Sequence, residues 1–368
     1  MSDPGKLRIL HLPQLVGGHA PALAVGERAL GMGSSTLAYI SSPFGYPADV
    51  TLRHTSSGAF RRWMERLETV WRVRGRYDVL HFNFGTSLLT SENGWLTLAD
   101  MPLYGSGVAK VMTYQGSDLR IDLPPEAEAS LAAEIAKNGS AHIDVARYRS
   151  DPLRKRLILK RRDKAVEDCD HLYALNPDLL NLLPQEKSGF LPYAIRLDDH
   201  WKAPTIESDD AKPLKVLHLA TDRVLKGSAL IEQAIAPLVD EGKVEFRSYA
   251  NIPRDMALAH MREADVLIDQ MVLGWYGAQA VEAMMMGKAV VCRIDEAQGA
   301  RIHPEMAQEM PIVSCDLDGI DTVLGRLCAN RDEVRHLGDR GRQFAKRWHS
   351  PQSVGTMTVG LYQKLKAR

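Results

Sequence analysis

The 368-residue chain lacks several features that mark particular classes of protein. Its four cysteines (Cys169, Cys292, Cys315 and Cys328) are scattered, which favours reduced thiols over a disulfide framework or a zinc site. Basic and acidic residues number 46 each, so the chain has no basic excess of the kind that marks a dedicated nucleic-acid binder. No apolar run approaches the roughly 18 residues that span a bilayer. The first residues also lack the apolar core and cleavage site of a secretory signal peptide, which predicts a cytoplasmic protein.

What the chain does contain is a repeated alternation of short apolar runs and helix-length segments, as in βαβ units with a parallel sheet. In the first half, strands are predicted at 7–12, 37–40, 77–82, 108–113 and 171–175. The pattern restarts at residue 215, with strands at 215–220, 244–249, 266–269 and 289–293 and helices at 229–239, 254–263 and 278–286. The sequence therefore predicts an α/β protein with two doubly wound domains of Rossmann type.

The predicted domains are an N-terminal one over 1–200 and a C-terminal one over 214–350, with a helix over 351–368. The polar, proline-bounded segment 201–213 is the predicted linker between them. Two α/β domains joined by a short linker form a cleft, which is a common place for a small ligand.

Two basic segments are open to more than one interpretation. Six apolar residues fall within about 120° of a helical wheel: Phe60, Trp63, Met64, Leu67, Val70 and Trp71. We favour a helix that packs on its own sheet; the alternative is a face that docks on a membrane. The segment 153–164 has seven basic residues, which favours a solvated helix, with an anionic lipid or anionic acceptor as the alternative.

The surrounding sequence excludes several short motifs as functional sites. Gly31-Met-Gly33 follows a predicted helix rather than a strand, so it is not a dinucleotide fingerprint. Gly287-Lys288 lacks the upstream glycine and the Ser or Thr of a P-loop. Asp168-Cys-Asp170 matches a D-x-D metal motif, but it precedes a strand, where Asp is a common helix-end residue. No nucleophile elbow and no His-Glu-x-x-His motif is present.

The strongest candidate site lies in the second half, directly after the strand 215–220. Arg223 and Lys226 follow this strand, with Gly227 next and a helix beyond. Fixed positive charge at the carboxyl end of a parallel strand suits a diphosphate. The alternative is that both are solvated residues at the start of a loop.

A second segment adds to this site. A strand ends near Asp269, a glycine-containing turn follows, and a helix begins near Ala278. A helix N-terminus offers free N–H groups and a positive dipole end to a phosphate. Glu282 lies just over one turn inside this helix, where a carboxylate can accept both hydroxyls of a ribose. The alternative is a solvent-facing helical glutamate.

Together the two segments resemble the donor-binding half of GT-B glycosyltransferases, in particular the large retaining family 4, also called glycosyl transferases group 1. The family's R-x-x-K-G-like loop corresponds to Arg223, Lys226 and Gly227. Its G-x4-E-A-M-x2-G-K-x-V-V block corresponds to Gly277, Glu282, Ala283, Met284, Gly287, Lys288, Val290 and Val291. The resemblance implies a GT-B fold, with two Rossmann-like domains facing a central cleft. It also implies an acceptor site in the first domain, a donor site in the second, and a terminal helix over 351–368 that crosses back to the first domain.

The first half of the chain resembles the same family more diffusely, in the segments 77–85, 111–120 and 172–180. Three positions depart from the family pattern. Gly274 stands where the family has a Glu that holds the transferred sugar, so Asp269 and Gln270 are the candidates for that contact. Gln115 and Asn83 each stand where the family has a His.

The resemblance implies a role for each matching position. Arg223 and Lys226 would bind the diphosphate, Glu282 the ribose, and the loop 250–253 would lie near the base. The predicted donor-binding residues are Gly17, Gly18, Arg223, Lys226, Gly227, Asn251, Ile252, Asp269, Gln270, Tyr276, Gly277, Ala278, Gln279 and Glu282. The predicted catalytic residues are Arg223, Lys226, Gln115 and Asp118, and the acceptor-side residues are Asn83, Asp118 and Arg120.

The expected function is transfer of a sugar from a nucleotide-sugar donor to a glycan, glycolipid or other hydroxyl acceptor. The resemblance implies a retaining, metal-independent reaction without a cofactor, typically in bacterial polysaccharide or glycolipid synthesis. No nucleic-acid partner is expected, and peripheral contact with the inner face of a membrane is an alternative to a wholly cytoplasmic location. Two other functions stay open: a nucleotide-sugar 2-epimerase and a non-catalytic nucleotide-sugar binding protein.

Overall fold

The computed structural model describes residues 6–39, 45–52, 58–91, 93–141, 143–148, 151–198 and 212–367. The chain divides into two compact units. Unit 1 takes its residues from 1–121, 152–196 and 349–368, and unit 2 from 122–151 and 197–348. Residues 201–211 of the predicted linker lie outside the described part of the chain.

Each unit is built on one parallel sheet. The strands of unit 1 are β1 (Arg8–Leu12), β2 (Gly33–Ala38), β3 (Val50–Thr51), β4 (Val79–Asn83), β5 (Ala109–Tyr114), β6 (His171–Ala174) and β7 (Ser188–Phe190), in the order β3-β2-β1-β4-β5-β6-β7. Those of unit 2 are β8 (Leu214–Ala220), β9 (Val244–Ala250), β10 (Val266–Ile268), β11 (Ala289–Cys292) and β12 (Val313–Ser314), in the order β12-β11-β10-β8-β9. These are the two common doubly wound strand orders, so the predicted α/β class is confirmed.

Thirteen α-helices are present in the described residues. They are α1 (His19–Ala29), α2 (Ala59–Val73), α3 (Glu126–Asn138), α4 (Pro152–Asp168), α5 (Arg223–Lys226), α6 (Ser228–Asp240), α7 (Arg254–Glu263), α8 (Ala278–Met285), α9 (Glu296–Gly299), α10 (Pro304–Glu309), α11 (Ile320–Ala329), α12 (Arg331–Trp348) and α13 (Pro351–Lys366). None of them is both long enough and apolar enough to cross a membrane.

The strands are buried as parallel strands should be when helices cover both faces of a sheet. Every residue of β4 is buried, and in β8 only Lys215 is exposed. In unit 2 the core joins strand residues such as Val216 and Val291 to Ile231 of α6 and Leu324 of α11. Continuous apolar runs of this kind are what made the strands predictable from the sequence.

Glycines allow the closest helix contacts in both units. A Cβ atom built on Gly26 of α1 would lie 1.8 Å from the carbonyl oxygen of Pro351 in α13, and Gly355 faces the same contact. In unit 2, a Cβ on Gly338 of α12 would lie 2.1 Å from the carbonyl oxygen of Gly287, which follows α8. These positions require glycine because any side chain would displace the neighbouring backbone.

The segment 122–151 belongs to unit 2, whereas the sequence analysis grouped it with the first domain. Ser130 of α3 donates to the carbonyl oxygen of Val224 at 2.7 Å, and Lys137 pairs with Glu232 of α6 at 2.5 Å. These partners lie more than ninety residues away along the chain, so no local pattern could reveal them.

The apolar stripe of α2 is divided between two environments. Val70 is fully buried, and Trp63 and Leu67 pack against the core of unit 1. Phe60, Met64 and Trp71 are instead exposed. The interpretation that the whole stripe packs on its own sheet is therefore wrong for these three residues, because they lie about 80–120° around the helix from Val70, at the edge of the stripe that faces away from the core.

Candidate functional site

The strand order of unit 2 places a crevice at the carboxyl ends of β8 and β10. The chain leaves β8 towards β9 on one side, while β10 pairs with β8 on the other. Ligands of open α/β sheets bind at such a switch point. Two loops meet there, one from Thr221 to Gly227 and one from Asp269 to Gly277.

Lys226 is held at this crevice by its local structure. Asp222 caps the single turn of α5 by accepting from the Leu225 N–H at 3.0 Å, and Gly227 ends that turn with a φ of 79°. The ammonium group of Lys226 pairs with Asp269, and both residues are buried. A lysine held at one place by a buried carboxylate is a preorganised positive charge rather than a solvated one.

Asp269 also fixes the N-terminus of α8. Its second carboxylate oxygen accepts from the Gly277 N–H at 2.7 Å. A Cβ atom built on Gly277 would lie 3.5 Å from Asp269 and 3.8 Å from Nζ of Lys226, so this helix end lies beside the ammonium group. The N-cap residue, Gly277, has no side chain with which to cap the N–H groups further inside the helix. The N-terminus of α8 and Lys226 thus form a site with the chemistry of an anion-binding site.

Arg223 has different partners from Lys226. Its Nε donates to Glu134 of α3 at 2.5 Å, and its terminal nitrogens donate to Glu232 of α6 at 3.0 and 3.2 Å. Although burial opposes the shift, hydrogen bonds from Arg223, Lys137 and Ser248 lower the pKa of Glu232 to about 2. Two carboxylates therefore balance the charge of Arg223, which the sequence analysis expected to face a diphosphate.

Glu282 is buried inside unit 2, which excludes the alternative of a solvent-facing glutamate. Arg254 of α7 donates to one of its oxygens from Nε at 2.9 Å and from a terminal nitrogen at 2.8 Å. Burial raises the pKa of Glu282, and Arg254 opposes that rise. No sequence pattern indicated Arg254, although it directly follows the predicted base-side loop 250–253.

The remaining predicted donor-side residues of unit 2 differ in exposure. Asn251 is exposed, with a φ of 53°, and Ile252 is half-buried. Tyr276 is fully buried and stacks on Trp275 at a ring-centroid distance of 4.9 Å. Gln270 donates its side-chain amide to the Trp275 carbonyl. The side chains of Gln270 and Tyr276 therefore hold the loop together, while Gly277, Ala278 and Gln279 are half-buried.

Gly274 has a backbone conformation that few residues other than glycine adopt. Its φ of 70° is in the left-handed region, and a Cβ atom there would lie 3.1 Å from the Cβ of Asp295. The loop backbone at this position therefore has a conformation that disfavours the Glu found in the family.

The predicted catalytic and acceptor-side residues of unit 1 lie at the carboxyl ends of β4 and β5. Asp118 accepts from the backbone N–H groups of Gln115 and Gly116, the shortest at 2.7 Å. Burial raises the pKa of Asp118 to about 6, and these backbone donors oppose the rise. Nε2 of Gln115 finds no hydrogen-bond partner among the residues described.

Other predicted residues of unit 1 are already engaged. Arg120 pairs with Asp178 at 2.7 Å, which is the ion-pair alternative for this residue. Asn83 is fully buried and donates to the His81 carbonyl at 3.1 Å. Gly17 and Gly18 both have left-handed backbones, with φ values of 63° and 69°, after β1.

Asp168-Cys-Asp170 has structural partners, as its position before a strand predicts. Asp168 pairs with Lys164 at 3.0 Å, and Asp170 accepts from the Lys110 N–H at 2.7 Å. Cys169 between them is buried.

A cavity of about 740 Å³ lies beyond Arg223 within unit 2. Oε2 of Glu134, at its edge, has no hydrogen-bond partner among the described residues. Tyr148, in the segment 122–151 of unit 2, donates to Asp222 in the segment 197–348 at 2.9 Å. The lining has charges of both signs and consists of Glu134, Lys137, Asn138, Ile143, Asp144, Arg147, Tyr148, Thr221, Asp222, Arg223, Val224, Glu232 and Asn251.

Known proteins match this chain over a short stretch in sequence and over nearly its whole length in fold. No protein-family model matches the chain. A stretch of 93 residues is 37% identical to MMP α-(1→4)-mannosyltransferase from Mycolicibacterium hassiacum. That match covers 25% of this chain and 23% of the mannosyltransferase, so the chain spans about a quarter of the length of the curated relative it matches.

Solved structures match nearly the whole chain at low identity. Sucrose-phosphate synthase from Thermosynechococcus elongatus is 15% identical, with a TM-score of 0.55 over 98% of this chain and 99% of that one. Anabaena HepE, solved with UDP and glucose, is 12% identical, with a TM-score of 0.57 over 97% and 99%. The chain has the GT-B fold. An α-glucosyltransferase solved with UDP and DNA shares this GT-B fold at 9% identity, with a TM-score of 0.55 over 97% and 100%.

Proposed function

We propose that this protein is a glycosyltransferase that moves a sugar from a nucleotide-sugar donor to a hydroxyl acceptor. The observation that carries the proposal is the arrangement of Lys226, Asp269 and the N-terminus of α8 at the switch point of unit 2. It supplies fixed positive charge and backbone donors for an anionic group. The GT-B fold and the similarity to a mannosyltransferase support the same reaction class.

In this proposal, unit 2 stabilises the leaving group. The bond between the sugar's anomeric carbon and the diphosphate oxygen breaks, and the electron pair stays on the diphosphate. Lys226 and the N–H groups at Ala278 and Gln279 stabilise the charge that develops there. The acceptor oxygen forms the new bond, and its proton passes to a phosphate oxygen of the departing diphosphate.

Arg223 contributes less than Lys226 in this scheme. Its guanidinium group pairs with two carboxylates, those of Glu134 and Glu232. Lys226 pairs with only one, that of Asp269, and its ammonium group lies beside the N-terminus of α8. We therefore assign Arg223 a positioning role for the loop after β8, and we assign Lys226 the catalytic role.

Glu282 suits the ribose of the donor. One of its oxygens is held by Arg254, which leaves the other as an acceptor for ribose hydroxyls. Asn251 and Ile252, at the end of β9, are the candidates for contact with the base.

The finer features of the reaction are retention of configuration and independence from metal. The relative's name specifies an α-(1→4) linkage. An α-linked product made from an α-linked donor keeps the configuration of the anomeric carbon. We propose the same retaining course here, on an α-linked donor. Lys226 and the helix N-terminus can stabilise the departing diphosphate without a divalent ion, so we propose that no metal is needed.

The experiment is a thermal-shift panel with UDP-, GDP-, ADP- and dTDP-sugars, each measured without and with EDTA. A ligand that binds the native state raises the melting temperature by mass action. We expect a shift with one nucleotide that EDTA does not change and that Glu282→Ala abolishes. The matched control is Glu241→Ala, which removes an exposed carboxylate elsewhere in unit 2. No shift with any nucleotide would contradict the proposed donor site.

The non-catalytic alternative has one observation in its favour. Gly274 replaces a carboxylate that the family uses for the transferred sugar, and its backbone conformation disfavours restoring that carboxylate. Donor binding without turnover over a broad panel of acceptors would support a binding protein. Turnover of the donor in the absence of acceptor would support an epimerase.

A further inference from the structure

The surface of α2 exposes an unusual row of large apolar side chains. Phe60 is 79% exposed, Trp71 55% and Met64 47%. At 100° per residue these three residues fall within about 40° of one another on the helical wheel. Buried Val73 lies on the far side of the helix and buried Val70 about 80–120° around it. The row packs against neither hydrophobic core in the part of the chain that the structure describes.

A second exposed aromatic residue continues this surface. Trp95 is 63% exposed, and its ring contacts Trp63 of α2 edge-on at 5.5 Å. The loop that carries Trp95 is fastened by α4, since Lys160 donates to the Gly94 carbonyl at 3.1 Å and Arg161 to the Ser91 carbonyl at 2.8 Å. The basic helix therefore holds the tryptophan loop beside α2.

Charge is concentrated around these apolar side chains. Residues 59–76 contain six basic and two acidic residues, and α4 contains seven basic and three acidic residues. The whole chain is balanced at 46 of each sign, so the remainder has an acidic excess. Arg61 and Arg72, next to the apolar row, are 72% and 64% exposed.

We propose that α2, the Trp95 loop and α4 form a docking surface for an anionic lipid bilayer, which we call the lipid-facing surface. Aromatic rings and Met enter the boundary between headgroups and acyl chains, while arginine side chains extend to the phosphates. The basic excess matches the negative potential of an anionic membrane, and the exposed apolar row beside it matches the acyl region just below the headgroups. The surface attaches the protein without spanning the bilayer.

The test uses sedimentation of the full chain with two kinds of vesicle, one of phosphatidylcholine alone and one that also contains phosphatidylglycerol. We expect binding to the anionic vesicles and a strong decrease in binding as salt is raised. Because each large side chain contributes separately, the double change Phe60→Ser and Trp71→Ser should weaken binding by roughly a hundredfold. The matched control is Met256→Ser, an equally apolar residue that is 50% exposed in unit 2 and should leave binding unchanged.

A charge reversal measures the electrostatic contribution to vesicle binding. Arg61→Glu with Arg72→Glu should reduce binding to anionic vesicles, while Arg326→Glu, 54% exposed in unit 2, should have little effect. Equal binding to neutral and anionic vesicles would overturn the proposal. So would an absence of vesicle binding, or self-association that Phe60→Ser abolishes, which would make the surface a protein interface. All of these variants should keep the donor-induced thermal shift, so this proposal and the proposed function fail separately.

Discussion

The two units share one architecture but keep their buried polar groups in different places. In unit 1 these groups lie inside the fold, where His11 pairs with Glu27 at 2.8 Å and Thr358 of α13 donates to the same carboxylate at 2.8 Å. His81 bridges Thr113 and Tyr362, at 2.6 Å to each. This network joins β1, β4, β5, α1 and α13, so its polar atoms are used to hold the unit together.

In unit 2 two ion pairs lie at one edge of the sheet. Lys226 pairs with Asp269 where β8 and β10 end, and Arg254 pairs with Glu282 of α8. A buried ion pair is weak evidence for stability, because desolvation offsets much of the attraction. These two ion pairs of unit 2 are therefore better explained by a ligand than by folding, whereas the network of unit 1 serves packing.

The largest expected difference is between Lys226 and Asp118. Lys226→Ala should lower kcat by about a hundredfold to a thousandfold, since it removes preorganised charge from the leaving group. Asp118→Ala should cost less, because Asp118 mainly caps a backbone turn in unit 1. The measurement is steady-state kinetics once a donor and an acceptor are known, with Lys243→Ala as the control in unit 2. An equal or smaller loss for Lys226→Ala would contradict the assignment.

Acidification should affect unit 1 before unit 2. Burial lowers the pKa of His19 to about 3 and that of His349 to about 4, and it also holds the pKa of His81 well below 6.5. In unit 2 burial lowers the pKa of His218 to about 4. Below pH 6.5 the unfolded chain takes up protons that the folded state refuses, so stability falls as the pH drops towards these values.

Each such histidine should reduce the free energy of unfolding by about 2 kcal/mol between pH 6.5 and 5. Hydrogen exchange followed by mass spectrometry at pH 7.5 and pH 5 measures the effect strand by strand. We expect β1 and β4 to lose more protection than β8 and β10. Equal losses in the two units would show that the buried histidines of unit 1 are not the acid-sensitive element.

The smallest effect concerns the loop of unit 2. Gly274→Ala should lower stability by about 1–2 kcal/mol, because alanine is strained at a φ of 70°. Gly299→Ala, in α9 and with open space around it, should be neutral or slightly stabilising. Thermal denaturation of both variants tests this difference, and a Gly274→Ala variant as stable as the native protein would show that the loop adopts another backbone in solution.

The sequence predicted the sheets and the positions of several candidate-site residues in them. It did not predict the side chains that pair with those residues. Apolar runs and glycine-ended helices located β8, β10 and α8, and the spacing of motifs placed Lys226, Asp269 and Glu282 at the right ends of these elements. Arg254 and Glu134 were missed, because their contacts join residues 28 and 89 positions apart and leave no local pattern. The pattern also put Phe60 and Val70 on one face, although burial separates them, because a broad apolar sector does not reveal which edge faces the core.

The close approach of Gly26 to α13 has a consequence for the order of assembly during translation. Unit 2 ends at Trp348, so all of its described segments are synthesised before α13. Synthesis of unit 1 starts first. Until α13 is made, however, unit 1 lacks the helix that carries Thr358 and Tyr362 into its interior. We therefore expect unit 2 to fold during synthesis before α13 completes unit 1.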